Sequence, residues 1–375
     1  MSKRHQNGYL FRKGAFWYVR FYDDITQPDG RIVRRQVCRQ VAPYSDRYRN
    51  EKDVRPLLDA ILRPLNEGRS SPHGTMAVAA YVEKFFLPHA EAEYKPSTVN
   101  GYKALWRMYL APRLQCAVLR DYRCVDATRL LGDIHAERGI GRKTLRHCKA
   151  LLSSVFKFAK QQGVIDSLNP VKDAGIPRRA ANSKPTHAAT PDEVLVMLDT
   201  LTGAARTAVA LIYFAGLRPG EARGMRWEHY DGRRLYVRQS VWRTHLTEPK
   251  TEESVAPIPV CEPLAAILNE GRRSKGFILA GPSGKPANLN NLARRVVLPE
   301  LRKAGIPWYG WYALRRGIAT LATAVESPLA AKGLLRHSNL ATTEKHYVKD
   351  SPVETQRAVE KIQALFSRAK CERVQ

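Results

Sequence analysis

Apolar and polar positions follow a strand-like pattern near the start of this 375-residue chain; beyond about residue 50 the spacing lengthens mostly to that of helices. The run Phe16-Trp17-Tyr18-Val19-Arg20-Phe21-Tyr22 is aromatic and β-branched, with Lys13-Gly14 before it and Pro28-Asp29-Gly30 after it. Such a run between turn residues predicts a strand. A second run, Arg31 to Cys38, alternates arginine with apolar side chains. Together they predict a three-stranded β-unit over Gly8 to Val41. A helix is predicted from Asp53 to Leu65, with Val54, Leu57, Leu58, Ile61 and Leu62 on one side.

Four helical patterns come next: Met76 to Phe86, Lys95 to about Leu110, Val125 to Arg138, and about Lys143 to Gln162. Four helices in so short a stretch predict a compact bundle. Periodicity lapses from Asn169 to Thr190, where Ile176-Pro177-Arg178-Arg179 and Ser183-Lys184-Pro185 are basic and broken by proline. A helix start is then spelled by Thr190, Pro191 and Glu193, a cap, a first-turn proline and a capping-box acid. Helices are predicted over about Ala204–Phe214, Pro263–Asn269 and Leu289–Arg302, from Trp311 onward, from Ser327-Pro328 onward, and over 352–367. Leu235 to Val260 reads as three short strands, with Glu248–Glu252 as the second turn and Lys250 at its tip. The pattern gives a multidomain chain, mainly α with small β-sheets, divided at 1–70, 74–172, a linker at 173–189, and 190–370.

Charge sharpens this outline. Sixty-two basic side chains against 35 acidic ones leave +27, an excess that points to a polyanionic partner, most often nucleic acid. Residues 1–49 alone hold 11 Lys+Arg and 4 Asp+Glu, a net of +7. Arg20, Arg34 and Arg35 are therefore candidate DNA contacts on the sheet, as are Lys143, Arg178 and Arg179 farther on. The bland alternative is a solvated charged face. The chain shows no run of about 18 apolar residues, the length a membrane helix needs, and no signal-peptide core near Met1, so a cytoplasmic, nucleoid-associated protein without a membrane partner is expected. The six cysteines form no C-x-x-C pair, and neither a P-loop nor a GxGxxG run appears. No metal, nucleotide or other cofactor is expected.

The candidate chemistry lies in the last segment. Gly216-Leu217-Arg218-Pro219-Gly220-Glu221 places an arginine between two helices. Lys250 comes next at the predicted hairpin tip, then Leu314-Arg315-Arg316-Gly317, then Leu334-Leu335-Arg336-His337-Ser338 running on to Tyr347, the last tyrosine of sixteen. This ordered series resembles the tyrosine recombinases, the phage-integrase type of site-specific recombinase. The resemblance is sharpest over about 185–370. It is looser over the helical segment, which looks like the family's SAM-like core-binding domain, and over the N-terminal sheet, which looks like an arm-binding domain.

The resemblance implies a mixed α+β catalytic domain that cleaves and rejoins DNA through a 3′-phosphotyrosyl link, without metal or ATP. Tyr347 would be the nucleophile, and Arg218 and Arg315 would hold the charge that gathers on the phosphate oxygens. Guanidiniums suit that task because each donates two hydrogen bonds in one plane. Lys250 would protonate the 5′ leaving oxygen, His337 would bond the scissile phosphate, and Glu221 would orient the site. Partners implied are double-stranded recombination sites bound by a homotetramer on two DNA sites, with the 352–367 helix docking on its own domain or a neighbour's. Two departures stand out. Tyr312 occupies the position where the family most often has histidine, and a phenol is the poorer proton acceptor at neutral pH. Tyr347 lies ten residues after His337 where nine is common, leaving His346 at the commoner position, about 100° away if that turn is helical. A DNA-binding protein of this fold whose catalysis has lapsed, and a type IB topoisomerase-like relaxing enzyme, are the alternatives.

Overall fold

A computed structural model of the chain describes residues 5–27, 29–68, 70–247 and 257–336, and it falls into two compact units, Met1–Lys184 and Pro185–Gln375. It is mainly helical with small sheets, the first of them three-stranded. The helix predicted over 352–367 lies outside the described residues.

In the first unit, strands β1 (Tyr9–Lys13), β2 (Phe16–Thr26) and β3 (Ile32–Pro43) form an antiparallel sheet in the order β1-β2-β3. Alternation along β2 turns Trp17, Val19 and Phe21 inward, where helix α1 (Glu51–Asn66) lays Val54, Leu58 and Leu62 against them. Asn50 and Asp53 cap α1 reciprocally. The same alternation buries Asp23, and its carboxylate takes an ion pair from Arg120, which belongs to the helical part of the unit. Arg39 and Asp121 pair nearby at 3.2 Å, and the Thr26 N–H donates to Thr75 Oγ1 at 3.0 Å. The sheet is thus fastened to the helical part of its unit.

That helical part comprises α2 (78–93), α3 (96–110), α4 (Cys124–Arg138) and α5 (Arg142–Gln161), with π turns at Val82–Phe86 and Trp106–Leu110. Tyr81, Phe86, Trp106 and Phe156 fill its core. Residues after α5 stay with the bundle: Val171, Ala174 and Ala180 are buried in that core, and Lys149 Nζ donates to the Ala174 carbonyl at 2.6 Å.

The second unit is built on α7 (Gly203–Phe214), buried along most of its length by α6 (Pro191–Thr200), α9 (Glu262–Glu270), α10 (289–303) and α11 (Trp311–Val325). Between α7 and β4 sits the short α8 (Pro219–Gly224), and α12 (Pro328–Leu335) comes after α11. Among the described residues of the stretch expected as three strands, β4 (Arg234–Leu235) pairs with β7 (Ile258–Pro259), and β5 (Ser240–Trp242) with β6 (His245–Thr247). The β5–β6 turn is Arg243-Thr244, with Arg243 at φ 53°, and the turn expected at 248–252 lies outside the described residues. Two-residue turns fit the twist of paired strands when φ is positive, and the sequence offered no glycine or asparagine to mark this one.

Candidate active site

The C-terminal end of α7 stops at Gly216, whose φ of 56° is open to glycine at little cost. A Cβ there would stand 3.2 Å from Leu335 Cδ2, so the loop passes close under the end of α12. Arg315, on the first turns of α11, ties these two segments together. Its Nη1 donates to the Gly216 carbonyl and its Nη2 to the Leu335 carbonyl at 2.8 Å, and only 2% of the residue is exposed. A guanidinium donates through a planar fork, which explains how one side chain can reach two carbonyls on different elements.

Arg218 caps α8. Its N–H donates to Glu221 Oε2 at 2.9 Å and its Nη1 to Oε1 at 2.7 Å, while about a third of its side chain stays open to solvent. Glu221 is buried and also accepts from Arg336 Nη2 at 2.7 Å through Oε2. Burial by itself would raise the Glu221 pKa. The charges of Arg336, Arg218 and Arg315, with the bond from the Arg218 N–H, outweigh burial and hold the carboxyl below its ordinary value. Among the described residues, this one carboxylate sits in the field of three guanidiniums, of which Arg218 is the one partly open to solvent.

Two arginines that the sequence pattern did not single out complete the arrangement. Arg336, in the left-handed region at φ 52° and ψ 52°, ends α12. Arg223 donates from Nε to the Ala287 carbonyl at 2.8 Å, from Nη1 to Val241 at 3.2 Å and from Nη2 to Arg243 at 2.7 Å, pinning α8 to the β5–β6 hairpin. Cβ atoms on Gly220 and Gly224 would crowd Ser240 Oγ at 2.6 Å and the Gln239 carbonyl at 2.7 Å, which is the signal glycines at these positions carry. For Arg336 the available signal was a bulky residue directly after an apolar helix end, where glycine usually sits.

Tyr312 lies one turn before Arg315 on α11 and is 54% exposed, with no hydrogen bond from its side chain to the described residues. Lys250, His337, His346 and Tyr347 lie outside the described residues. The structure therefore brings together Arg218, Glu221 and Arg315 from the predicted set.

The basic candidates of the first unit divide by strand parity. Arg20 and Arg34 share the outer face of the sheet with Tyr9, Phe11, Tyr18 and Tyr22, where Arg20 lies 4.9 Å from the Phe11 ring and Arg34 5.8 Å from that of Tyr22. Arg35, the next residue, registers with Asp23 on the opposite face. Lys143, Arg178 and Arg179 are all exposed, and Arg142 joins their neighbourhoods by donating from its N–H to the Ala181 carbonyl at 2.9 Å. Among the described residues, no cluster of His, Cys, Asp and Glu could hold a metal, and no helix is long and apolar enough to cross a membrane.

No family model matches the chain. The tyrosine recombinase XerC of Methylobacterium sp. (strain 4-46) is 30% identical over 285 residues, covering 70% of this chain and 86% of the relative. A tyrosine recombinase XerC-like protein of Caldanaerobacter subterraneus subsp. tengcongensis is 24% identical over 311 residues, or 72% of this chain and 79% of the relative. Among solved structures, the Tn1549 transposon integrase in complex with a circular intermediate DNA superposes with a TM-score of 0.63 at 20% identity, over 76% of this chain and 99% of the other. A lambda integrase tetramer bound to a Holliday junction gives 0.55 at 18% identity, over 93% and 97%.

Proposed function

Given a chain that belongs to the tyrosine recombinase family, we propose that it is a site-specific integrase that cuts and rejoins double-stranded DNA through Tyr347. The observation that carries this reading is the convergence of the Arg218 and Arg315 guanidiniums on Glu221, the first by hydrogen bond and the second through its field. In the proposed reaction the Tyr347 phenol gives its proton to water and its oxygen attacks the scissile phosphorus. The bond to the 5′ oxygen breaks, Lys250 supplies that oxygen's proton, and a 3′-phosphotyrosyl ester remains. Charge on the two non-bridging oxygens is met by Arg218, which Glu221 holds with part of its side chain open to solvent, and by Arg315, which two backbone carbonyls hold beneath it. His337 bonds the same phosphate, and Tyr312, well exposed, is placed to add a phenolic donor. Attack by the freed 5′ hydroxyl of a partner strand reverses the chemistry, conserving the energy of the bond without a nucleotide or a metal.

DNA would be held by the first unit, with the helical bundle as core-binding domain and the sheet as arm-binding domain. The Arg20–Arg34 face and the Lys143–Arg178–Arg179 cluster are the proposed phosphate contacts. Assembly as a tetramer on two sites is supported by the lambda integrase tetramer on a Holliday junction.

A nicked duplex carrying the site that the chain itself enriches from a random pool tests this. A covalent protein–DNA adduct that Tyr347→Phe abolishes is expected. An enriched site that wild type never attaches to would make the chain a DNA-binding protein of the same fold. Relaxation of plasmids lacking the site would favour the topoisomerase alternative.

A further inference from the structure

Arg336 has no part in the proposed reaction, yet it sits at the centre of the site's charge. Three observations set it apart. Its residue is 4% exposed, which places a full positive charge in a nearly dry environment. Its backbone is left-handed at φ 52°, a conformation that glycine adopts freely and that a residue with a Cβ adopts at a cost. Its side chain makes one ion pair, Nη2 to Glu221 Oε2 at 2.7 Å, and its Nε and Nη1 find no hydrogen-bond partner among the described residues. A buried arginine that is strained in its backbone and incompletely satisfied in its side chain stabilises the fold poorly for its size. Such residues persist where a function needs them.

We propose that Arg336 is a positioning residue for Arg218, acting through the carboxylate they share. Glu221 receives the Arg218 N–H and Arg336 Nη2 on one oxygen and Arg218 Nη1 on the other. Without Arg336, Oε2 would keep only the backbone bond, and the carboxylate would be free to rotate and draw the Arg218 fork inward. With Arg336 in place, Glu221 is held from behind and Arg218 keeps its outer edge turned to solvent, where a phosphate would bind. The charged groups facing Glu221 are Arg336, Arg218 and Arg315, so the second cation also keeps this carboxylate from fully neutralising the first.

The inference rests on Arg218 acting on the phosphate, and the test separates the two. Arg336→Gly suits the left-handed backbone and removes the guanidinium together with its aliphatic stem, whereas Arg336→Met keeps most of the stem and should match it in rate and profile. With single-turnover cleavage of the nicked duplex as readout, Arg336→Gly should lower the saturated rate on the order of 100-fold, the penalty of a misplaced catalytic group, while half-saturation by DNA moves less than about twofold. Its rate should also fall away at a higher pH than that of wild type, because Glu221 loses a counter-charge. Arg336→Lys should restore the wild-type pH profile and part of the rate. Combining Arg336→Gly with Glu221→Gln should remove the shifted acid limb. Unchanged rate and profile in Arg336→Gly would overturn the proposal, as would a weakened half-saturation with the rate intact, which would make Arg336 a DNA contact. A slower rate with no change in profile would reduce it to a strut, also overturning it. Wild-type cleavage by Arg218→Lys would instead sink the reading of Arg218, whatever Arg336 does.

Discussion

Asp23 in the first unit and Glu221 in the second are both buried to within a few per cent, and both meet arginine. They differ in balance. Asp23 answers one guanidinium, Arg120, and with it closes the seam between sheet and bundle. Glu221 answers Arg218 and Arg336 directly and lies within the field of Arg315, while Arg336 Nε and Nη1 find no hydrogen-bond partner among the described residues. The first pair is electrically finished and holds parts together. In the second, among the described residues, one carboxylate is shared by two guanidiniums, as the proposed phosphate site would need. The same two residue types serve attachment in one place and recognition in the other, and stoichiometry tells them apart.

Substitutions can break that contrast, starting with the largest effect. Arg218→Lys or Arg315→Lys should lower cleavage by about 10³-fold, as loss of a fixed donor to a developing anion does. DNA affinity in a filter or fluorescence assay should stay within roughly tenfold, since bulk affinity comes from the other basic residues. Asp23→Asn should leave chemistry at the site intact and instead cost about 3 kcal/mol in denaturant unfolding, the penalty of stranding a partly buried guanidinium. If Asp23→Asn were as inactive as Arg218→Lys yet equally stable, the division of labour would be wrong.

Gly317→Ala sharpens the comparison by probing packing without charge. A Cβ there falls inside contact distance of the Ala189 carbonyl, so a loss of about 1–3 kcal/mol in thermal or denaturant stability is expected. The pH response separates the carboxylates further. Glu221 has a depressed folded pKa, so its contribution is present above the ordinary carboxylate range and is lost as pH falls through the lower folded value. Thermal unfolding of wild type should show a destabilising limb below the ordinary carboxylate range that Glu221→Gln lacks. Smallest of all, Tyr312→His should change the cleavage rate by less than about tenfold and leave stability unaltered, because more than half of Tyr312 is exposed.

Much of this was legible in the residues. Thr190-Pro191 and Glu193 announced α6, and Gly216 announced the end of α7, because capping and left-handed stops are local chemistry. The alternation over Phe16–Tyr22 gave β2, although the strand runs on to Thr26 under the pull of its partner β3. The turn at Arg243-Thr244 was not foreseen, since it has no turn signature and is held from outside by Arg223. Arg336 was passed over for a similar reason: its meaning depends on Glu221, 115 residues away, and no local pattern encodes that meeting. Arg34 and Arg35 looked equivalent, and only pairing with β2 assigns them to opposite faces.

The Asp23–Arg120 seam also bears on how the protein would behave once cut. The chain between α1 and α2 passes Glu67 and Gly68, both exposed and so accessible to a protease. A nick there would sever the backbone but not the ion pair, the Arg39–Asp121 pair, or the Thr26–Thr75 bond. The two fragments should travel as one particle on a sizing column and part only when denatured. A chain begun at Pro72, by contrast, would be made without the carboxylate that Arg120 is built to meet.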